Sequence, residues 1–383
     1  MFFITVLLAI MGLVGTDIFV PSLPSIAIAF HQSPNHTQLT ITLFLLGFAL
    51  SQLFYGPISD RVGRKPPIIV GTSIFILGSL VCLSAHSFLW LCIGRIIQGV
   101  GVGGGLSLAR VIMRDRYHGA LLGIRSSQIA MFVSLTPAVA PFLGGILQQY
   151  FNFHASFVFM FVYGLILLIL LILFFEESIQ EKDHSLTFKS TLNYYKLILK
   201  NKFFMPYVFI AGLSFASIIL CASVTPFIIQ NQLGLSPMLN GEIILVAALG
   251  VSAGALLSSR LLRYLTSNHL VLVGLFILIL SGFLLLATAL LFGTHLAFLM
   301  PLIFFVTVAC GLLFPNALTI AFSHIQIKIG IAGAIYGSVQ IFISMLVNLL
   351  LNVIPHQGQS LLGLFYLLIG FAGLGLFLYT RRG

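Results

Sequence analysis

The chain has 383 residues, 59% of them hydrophobic and only 7% charged, where soluble domains carry about a quarter charged residues. So few charges cannot clothe a water-soluble protein of this length, so the expected solvent is mostly lipid. The formal charge of +10 sits in short clusters between apolar runs, without a basic stripe interleaved with aromatics. That placement argues against a nucleic-acid partner.

At about 20 apolar residues per crossing, the runs between polar breaks predict twelve spans. They cover residues 3–29, 38–58, 67–86, 88–112, 125–149, 153–175, 204–230, 238–258, 269–292, 295–322, 331–354 and 360–379. The first begins almost directly at the amino terminus, with neither a basic leading region nor a cleavage-site pattern. It is expected to be retained as a helix rather than removed as a signal peptide. Its leading end is short, so a start codon upstream of Met1 is compatible with the pattern.

Asp17 is the deepest acid of the chain, in Thr16-Asp17-Ile18-Phe19-Val20-Pro21-Ser22-Leu23-Pro24. At the helical rise it lies on the order of 20 Å from the start of the first span. Burying such a charge costs about 2.5–3.5 kcal/mol, which makes it a candidate for function. Pro21 and Pro24 remove backbone donors just beyond it and favour a broken helix lining a cavity. The alternative is a structural acid bonded to a neighbouring helix.

After the second span, Gly56, Asp60, Arg61, Gly63, Arg64 and Lys65 crowd one short connection that ends at Pro66. The acid among the bases suggests a charge network that closes a gate, with Gly56 letting a facing helix approach. Arg95 is the one basic residue well inside a span, in Gly94-Arg95-Ile96-Ile97-Gln98-Gly99. It is expected at a depth similar to that of Asp17, so that each relieves the other's burial cost. A static pair joining two helices is the simpler alternative. Gly99, Gly103 and Ser107, with Gly101 and Gly105, offer small faces for close helix packing. The dinucleotide pattern they formally contain has no preceding strand. Arg110, Arg114 and Asp115 repeat the charged theme after this span.

In the fifth span Pro137, Ala140, Pro141, Gly144 and Gly145 combine helix-weakening prolines with a small-residue face, a candidate hinge. The longest polar interruption, 176–203, divides the chain into an amino-terminal six-span unit (1–175) and a carboxyl-terminal one (204–383). Glu242 reads as an interfacial acid near the start of the eighth span. The four Cys lie in apolar runs without metal-ligand spacing and read as small hydrophobes. No metal site, cofactor or Ser-His-Asp arrangement is expected, and enzymatic activity is not.

Of 18 Lys and Arg, all but Arg95 lie at alternate connections or at the carboxyl tail. By the positive-inside rule both termini are expected to be cytoplasmic. A faint repeat supports a parallel duplication of six plus six spans. Gly56-Pro57-Ile58-Ser59-Asp60-Arg61-Val62-Gly63-Arg64 and Ala255-Leu256-Leu257-Ser258-Ser259-Arg260-Leu261-Leu262-Arg263 align on Ser and on both Arg positions. Such repeats are typical of alternating-access carriers.

These segments resemble the major facilitator superfamily, and within it the bicyclomycin/chloramphenicol (Bcr/CflA) drug-efflux group. The Gly56–Pro66 loop is similar to the superfamily's signature after helix two. Gly94–Gly101 with Ala109–Asp115 resembles the group's helix-four motif, and Asp17 with Pro21 and Pro24 its opening motif. Ala140–Gly145 resembles the helix-five motif of antiporters, with Ala140 where Gly is usual. Phe153-His154 stands where a Trp-Arg pair is common, and Ser259 where an acid would complete the second-half loop.

The resemblance implies an all-α membrane fold of two pseudo-symmetric six-helix bundles around a central cavity. It also implies a proton-coupled antiporter that exports small drug-like molecules from the cytoplasm across the inner membrane. Asp17 would be the protonation site and Arg95 its modulator. The expected partners are a small-molecule substrate and the lipid bilayer, with the chain acting as a monomer. A carrier for a neutral metabolite, or a non-transporting membrane receptor or scaffold, are the alternatives.

Overall fold

The computed structural model describes residues 1–179, 188–323, 325, 329–354 and 358–382. Among them twelve helices are long and apolar enough to cross a membrane, and there is no strand. Spans 1 to 6 are Phe2–Ala29, Pro34–Val62, Lys65–Leu83, Phe88–Arg116, Gly119–Tyr150 and Phe153–Phe174. Spans 7 to 12 are Phe204–Gln232, Pro237–Leu261, Ser267–Phe292, Leu296–Ser323, Gly330–Leu351 and Gln359–Arg381. An additional helix, Phe188–Leu199, lies in the central connection, where the sequence suggested only a linker.

In a bilayer every backbone amide must find its partner inside the protein, and helices do this locally. The expected span limits are close to the observed ones. Span 5 departs most, beginning at Gly119 rather than near 125. Arg125 does not end it, because its guanidinium lies over the Phe2 ring at 4.8 Å and donates to Gln128 Oε1 at 3.0 Å.

Four spans are interrupted, span 2 only at Gln38, between Pro34–Thr37 and Leu39–Val62. Span 1 is helical over Phe2–Asp17, makes a 3₁₀ turn over Val20–Ser22, and resumes over Leu23–Ala29. Span 4 divides into Phe88–Val102 and Gly105–Arg116, and span 7 ends in a π-helical turn, Phe227–Gln232. Span 5 is not interrupted. It runs as one helix through Pro137 and Pro141.

The small faces of span 4 are used as expected. Gly99 abuts the Phe44 carbonyl of span 2, and Gly101 abuts Phe75 and Gly71 of span 3. A Cβ on Gly105 would lie 2.6 Å from the Leu8 carbonyl oxygen of span 1. Backbones this close leave no room for larger residues.

The two six-span groups meet along span 5 with span 8 and along span 2 with span 11. At the end carrying few charges the seam is closed by polar contacts. Asn35 Nδ2 donates to the Ile354 carbonyl, Gln38 Nε2 to the Ser223 carbonyl at 3.3 Å, and Asn348 Nδ2 to Thr42 Oγ1 at 3.0 Å. Toward the basic end the groups part, and over residues 119–128 span 5 has no buried residue.

Gly144 of span 5 sits directly on the Ile18 carbonyl of span 1, whereas nothing lies within 4 Å of a Cβ built on Gly123 of the same helix. Gly144→Val is expected to lower stability by about 1–3 kcal/mol. Gly123→Ala should be neutral or raise stability by about 0.5–1 kcal/mol. Thermal unfolding of the detergent-purified variants compares the two; equal melting temperatures would refute the close approach.

Candidate functional site

The break in span 1 aims Asp17. Pro21 and Pro24 lack N–H groups, so the carbonyls four residues earlier lose their helical donors. Ser22 N donates instead to the Phe19 carbonyl at 2.9 Å, tightening the turn. Carbonyls freed at the break are served by other helices. Ser156 Oγ of span 6 reaches the Ile18 oxygen at 3.4 Å, and Gln230 Nε2 of span 7 reaches the Pro21 oxygen at 2.8 Å.

Asp17 is 6% exposed, and among the described residues its carboxyl makes no hydrogen bond or ion pair. It faces a cavity of ≈ 100 Å³ between the two six-span groups. The walls include Pro137 and Pro141 of span 5, Phe215 and Ala222 of span 7, and Ile244 and Val251 of span 8. Ser134 and Thr307 contribute the hydroxyls. A lone carboxyl in an apolar chamber is costly to bury in its charged form.

Arg95 is fully buried, but it does not pair with Asp17: no ion pair within 4.0 Å joins them. Its guanidinium lies between the rings of Phe19 at 4.0 Å and Phe44 at 4.3 Å. Nε donates to the Thr40 carbonyl at 3.2 Å. Nη1 donates to the Gly15 carbonyl at 3.0 Å and to Gln98 Oε1 at 2.7 Å. Gln98 in turn donates to Ser79 Oγ at 2.8 Å. The cation satisfies its burial with carbonyls and π faces, while the Asp17 side chain turns to the cavity. The two residues meet through the backbone of span 1: Arg95 holds Gly15 and Phe19 on either side of Asp17. Among the described residues the Nη2 group has no hydrogen-bond partner.

At the basic end Arg64 is the hub. It pairs with Asp60 and with Asp115 Oδ2 at 3.0 Å, and it donates to Ser59 Oγ at 2.8 Å. Burial opposes its charge, but the two carboxylates outweigh that and hold Arg64 above its ordinary value. Gly63, at φ 109°, takes a backbone conformation that favours glycine. A Cβ there would lie 2.5 Å from Glu177 Oε2. Glu177 Oε1 accepts from Arg64 N at 2.8 Å and Oε2 from Lys65 N at 3.1 Å, so it caps the start of span 3.

This network differs from the expected gate in two respects. Its members (Ser59, Asp60, Arg64, Asp115, Glu177 and Ser178) all lie before residue 180, so it does not bridge the two halves in this structure. Gly56 also has nothing within 4 Å of its Cβ position, because the halves part at this end. Arg61, Arg110 and Arg114 are exposed and outside the network. Of the helix-five motif, Pro137 and Pro141 line the cavity and Ala140 is buried. Gly144 and Gly145 contact spans 1 and 8.

Glu177 and the amides of the seam were not singled out from sequence. Gln38, Asn240 and Asn348 are buried polar residues within apolar spans, and the cost of burying an amide was the available signal. Burial raises the Glu177 carboxyl, but the backbone N–H groups of Arg64, Lys65, Ile179 and Ser178 prevail and hold it below the usual range. A depressed carboxylate stabilises above its unfolded pKa, and that contribution is lost as pH falls through its folded value. Glu177→Gln should therefore lower the melting temperature at neutral pH and flatten its fall below about pH 4.5. Parallel acid dependences for variant and wild type would count against the cap.

Residues 5–347 match the Major Facilitator Superfamily. The chain is 30% identical over 369 residues to Multidrug resistance protein D of Escherichia coli, covering 95% of this chain and 91% of that one. It is 28% identical over 279 residues to a bicyclomycin resistance protein homolog of Haemophilus influenzae, covering 72% and 70%. The fold is shared with a D-xylose-proton symporter at TM-score 0.76 and 15% identity, covering 98% of this chain and 96% of the other. With its twelve spans and these matches, the chain belongs to the Major Facilitator Superfamily and is a multi-pass membrane transporter.

Proposed function

We propose that the chain is a proton-coupled antiporter that exports small, largely apolar drug-like compounds, such as chloramphenicol- or bicyclomycin-type molecules, from the cytoplasm. The observation that carries this reading is the unpartnered Asp17 carboxyl facing an apolar cavity between the two halves. The names of its relatives, which include multidrug and bicyclomycin resistance proteins, support the substrate class. Both termini and the basic connections lie on the cytoplasmic side of the inner membrane in this reading, following the basic-residue bias. The parted end is then the cytoplasmic one, and the structure is an inward-facing state of a transporter acting as a monomer.

Proton and substrate use the cavity in turn. Proton uptake at Asp17 removes the charge from the chamber, and release restores it. One proton crossing a potential contributes about 2.3 kcal/mol per 100 mV, enough to bias a two-state carrier more than tenfold. Arg95 acts as the modulator by fixing the broken segment that carries Asp17. The ≈ 100 Å³ cavity is smaller than the roughly 300–1,000 Å³ of drug-sized sites. A substrate must therefore move spans 5, 7 and 8 apart around itself, which couples occupancy to conformation.

Asp17→Asn is expected to abolish pH-gradient-driven efflux from proteoliposomes and resistance in a pump-deficient host. The variant should still fold, because its amide replaces a carboxyl without partners. Efflux that still follows the pH gradient in this variant would refute the role of Asp17. Absence of efflux in the wild type for every compound of this class would refute the export reading.

A further inference from the structure

The helix in the central connection is docked on a defect in span 2. Pro57 lies inside that span and supplies no N–H, so the carbonyl of Leu53, four residues earlier, loses its helical donor. Tyr195 Oη donates to this Leu53 oxygen at 2.6 Å. On the same side of the Phe188–Leu199 helix, Thr191 and Ile198 are buried and stand seven residues apart, two turns of one face. The helix also packs on spans 7 and 11, so it links both halves at their parted end.

Its other surface is unusual for a helix in water. Leu192, Leu197 and Leu199 are 41%, 60% and 48% exposed, with exposed Lys196 among them and exposed Lys200 and Lys202 just past the helix end. Among the described residues the nearby acids are engaged elsewhere. Asp60 and Asp115 pair with Arg64, Glu176 pairs with Arg116, and Glu177 caps span 3. Among the described residues no acid pairs with these lysines, which stand beside the ends of membrane spans, where leucines can enter the acyl boundary and lysine stems reach lipid phosphates.

We propose that the Phe188–Leu199 helix is a docking surface for anionic lipid, with its leucines seated in the headgroup layer and Lys196, Lys200 and Lys202 on lipid phosphates. Tyr195 connects that seat to span 2 through the Leu53 carbonyl. Lipid charge then sets how firmly the strap holds span 2, next to the Asp60–Arg64 pair. This surface is separate from the cavity and does not depend on which substrate is carried.

The full chain has a single Trp, Trp90, at the opposite end of the membrane. Trp90→Phe with Leu197→Trp therefore makes the helix the only indole reporter, in proteoliposomes containing brominated phosphatidylglycerol or brominated phosphatidylcholine. Quenching should be stronger by the anionic lipid at equal mole fraction, with lipid preference falling roughly fivefold for each lysine replaced. It should also weaken with salt. The triple variant K196Q/K200Q/K202Q should quench equally with both lipids. Equal quenching in the parent, or none with either lipid, would overturn the docking surface.

Tyr195→Phe supplies the second arm, read by hydrogen exchange in residues 49–57. In the parent, protection there should rise with the phosphatidylglycerol fraction, and in the Tyr195→Phe variant it should not. An unchanged lipid dependence in that variant would overturn the connection to span 2.

Discussion

The cation buried between two phenyl rings organises the first half of the molecule. Arg95 is fully buried, and a buried guanidinium persists only where carbonyls and π faces replace its hydration. Gly15, Thr40, Gln98, Phe19 and Phe44 provide that replacement. Two of them, Gly15 and Phe19, flank Asp17. The break in span 1 is thereby fixed from one side by the guanidinium, and from the other by Gly144 pressed on the Ile18 carbonyl. Asp17 is left facing the cavity.

Local chemistry and global architecture meet at the prolines. A proline within a span loosens the hydrogen-bond ladder around it, and side chains of other elements attach to carbonyls at the loosened turn. Around Pro21 and Pro24 the freed region is met by Ser156 and Gln230. The first of these comes from the same half and the second from the other. The break therefore belongs to the seam between the halves as well as to its own helix. Span 5 contrasts with this: its two prolines leave the helix continuous and turn their rings to the cavity wall.

Much of this was legible in the sequence. Twelve apolar runs, the alternation of basic connections and the isolated Asp17 and Arg95 all follow from the cost of placing polar groups in hydrocarbon. The glycines at 99, 101, 103 and 105 announced close helix contacts, and these formed. What sequence could not specify was direction. Asp17 and Arg95 lie at related depths, yet a side chain's heading depends on φ/ψ at a broken helix, and the expected ion pair gave way to contacts with carbonyls and rings. The charged loop was legible as a network, but not as one confined to the first half. That depends on how far apart the halves stand, a property of the conformation. Glu177 lay hidden because its partners are backbone amides, which every sequence possesses.

One serine occurs at the same place in both repeats and is used differently. Ser59 accepts from the guanidinium of Arg64, whereas Ser258 accepts from the amide of Asn316 at 2.7 Å. Among the described residues two ion pairs lie within the first half and the third joins it to Glu176 of the connection. The two halves are thus unequal: among the described residues the first takes part in every ion pair and the second in none. Chimeras that exchange whole halves between relatives would then transplant the energetics of switching with the first unit, while the second carries over mainly the shape of a wall.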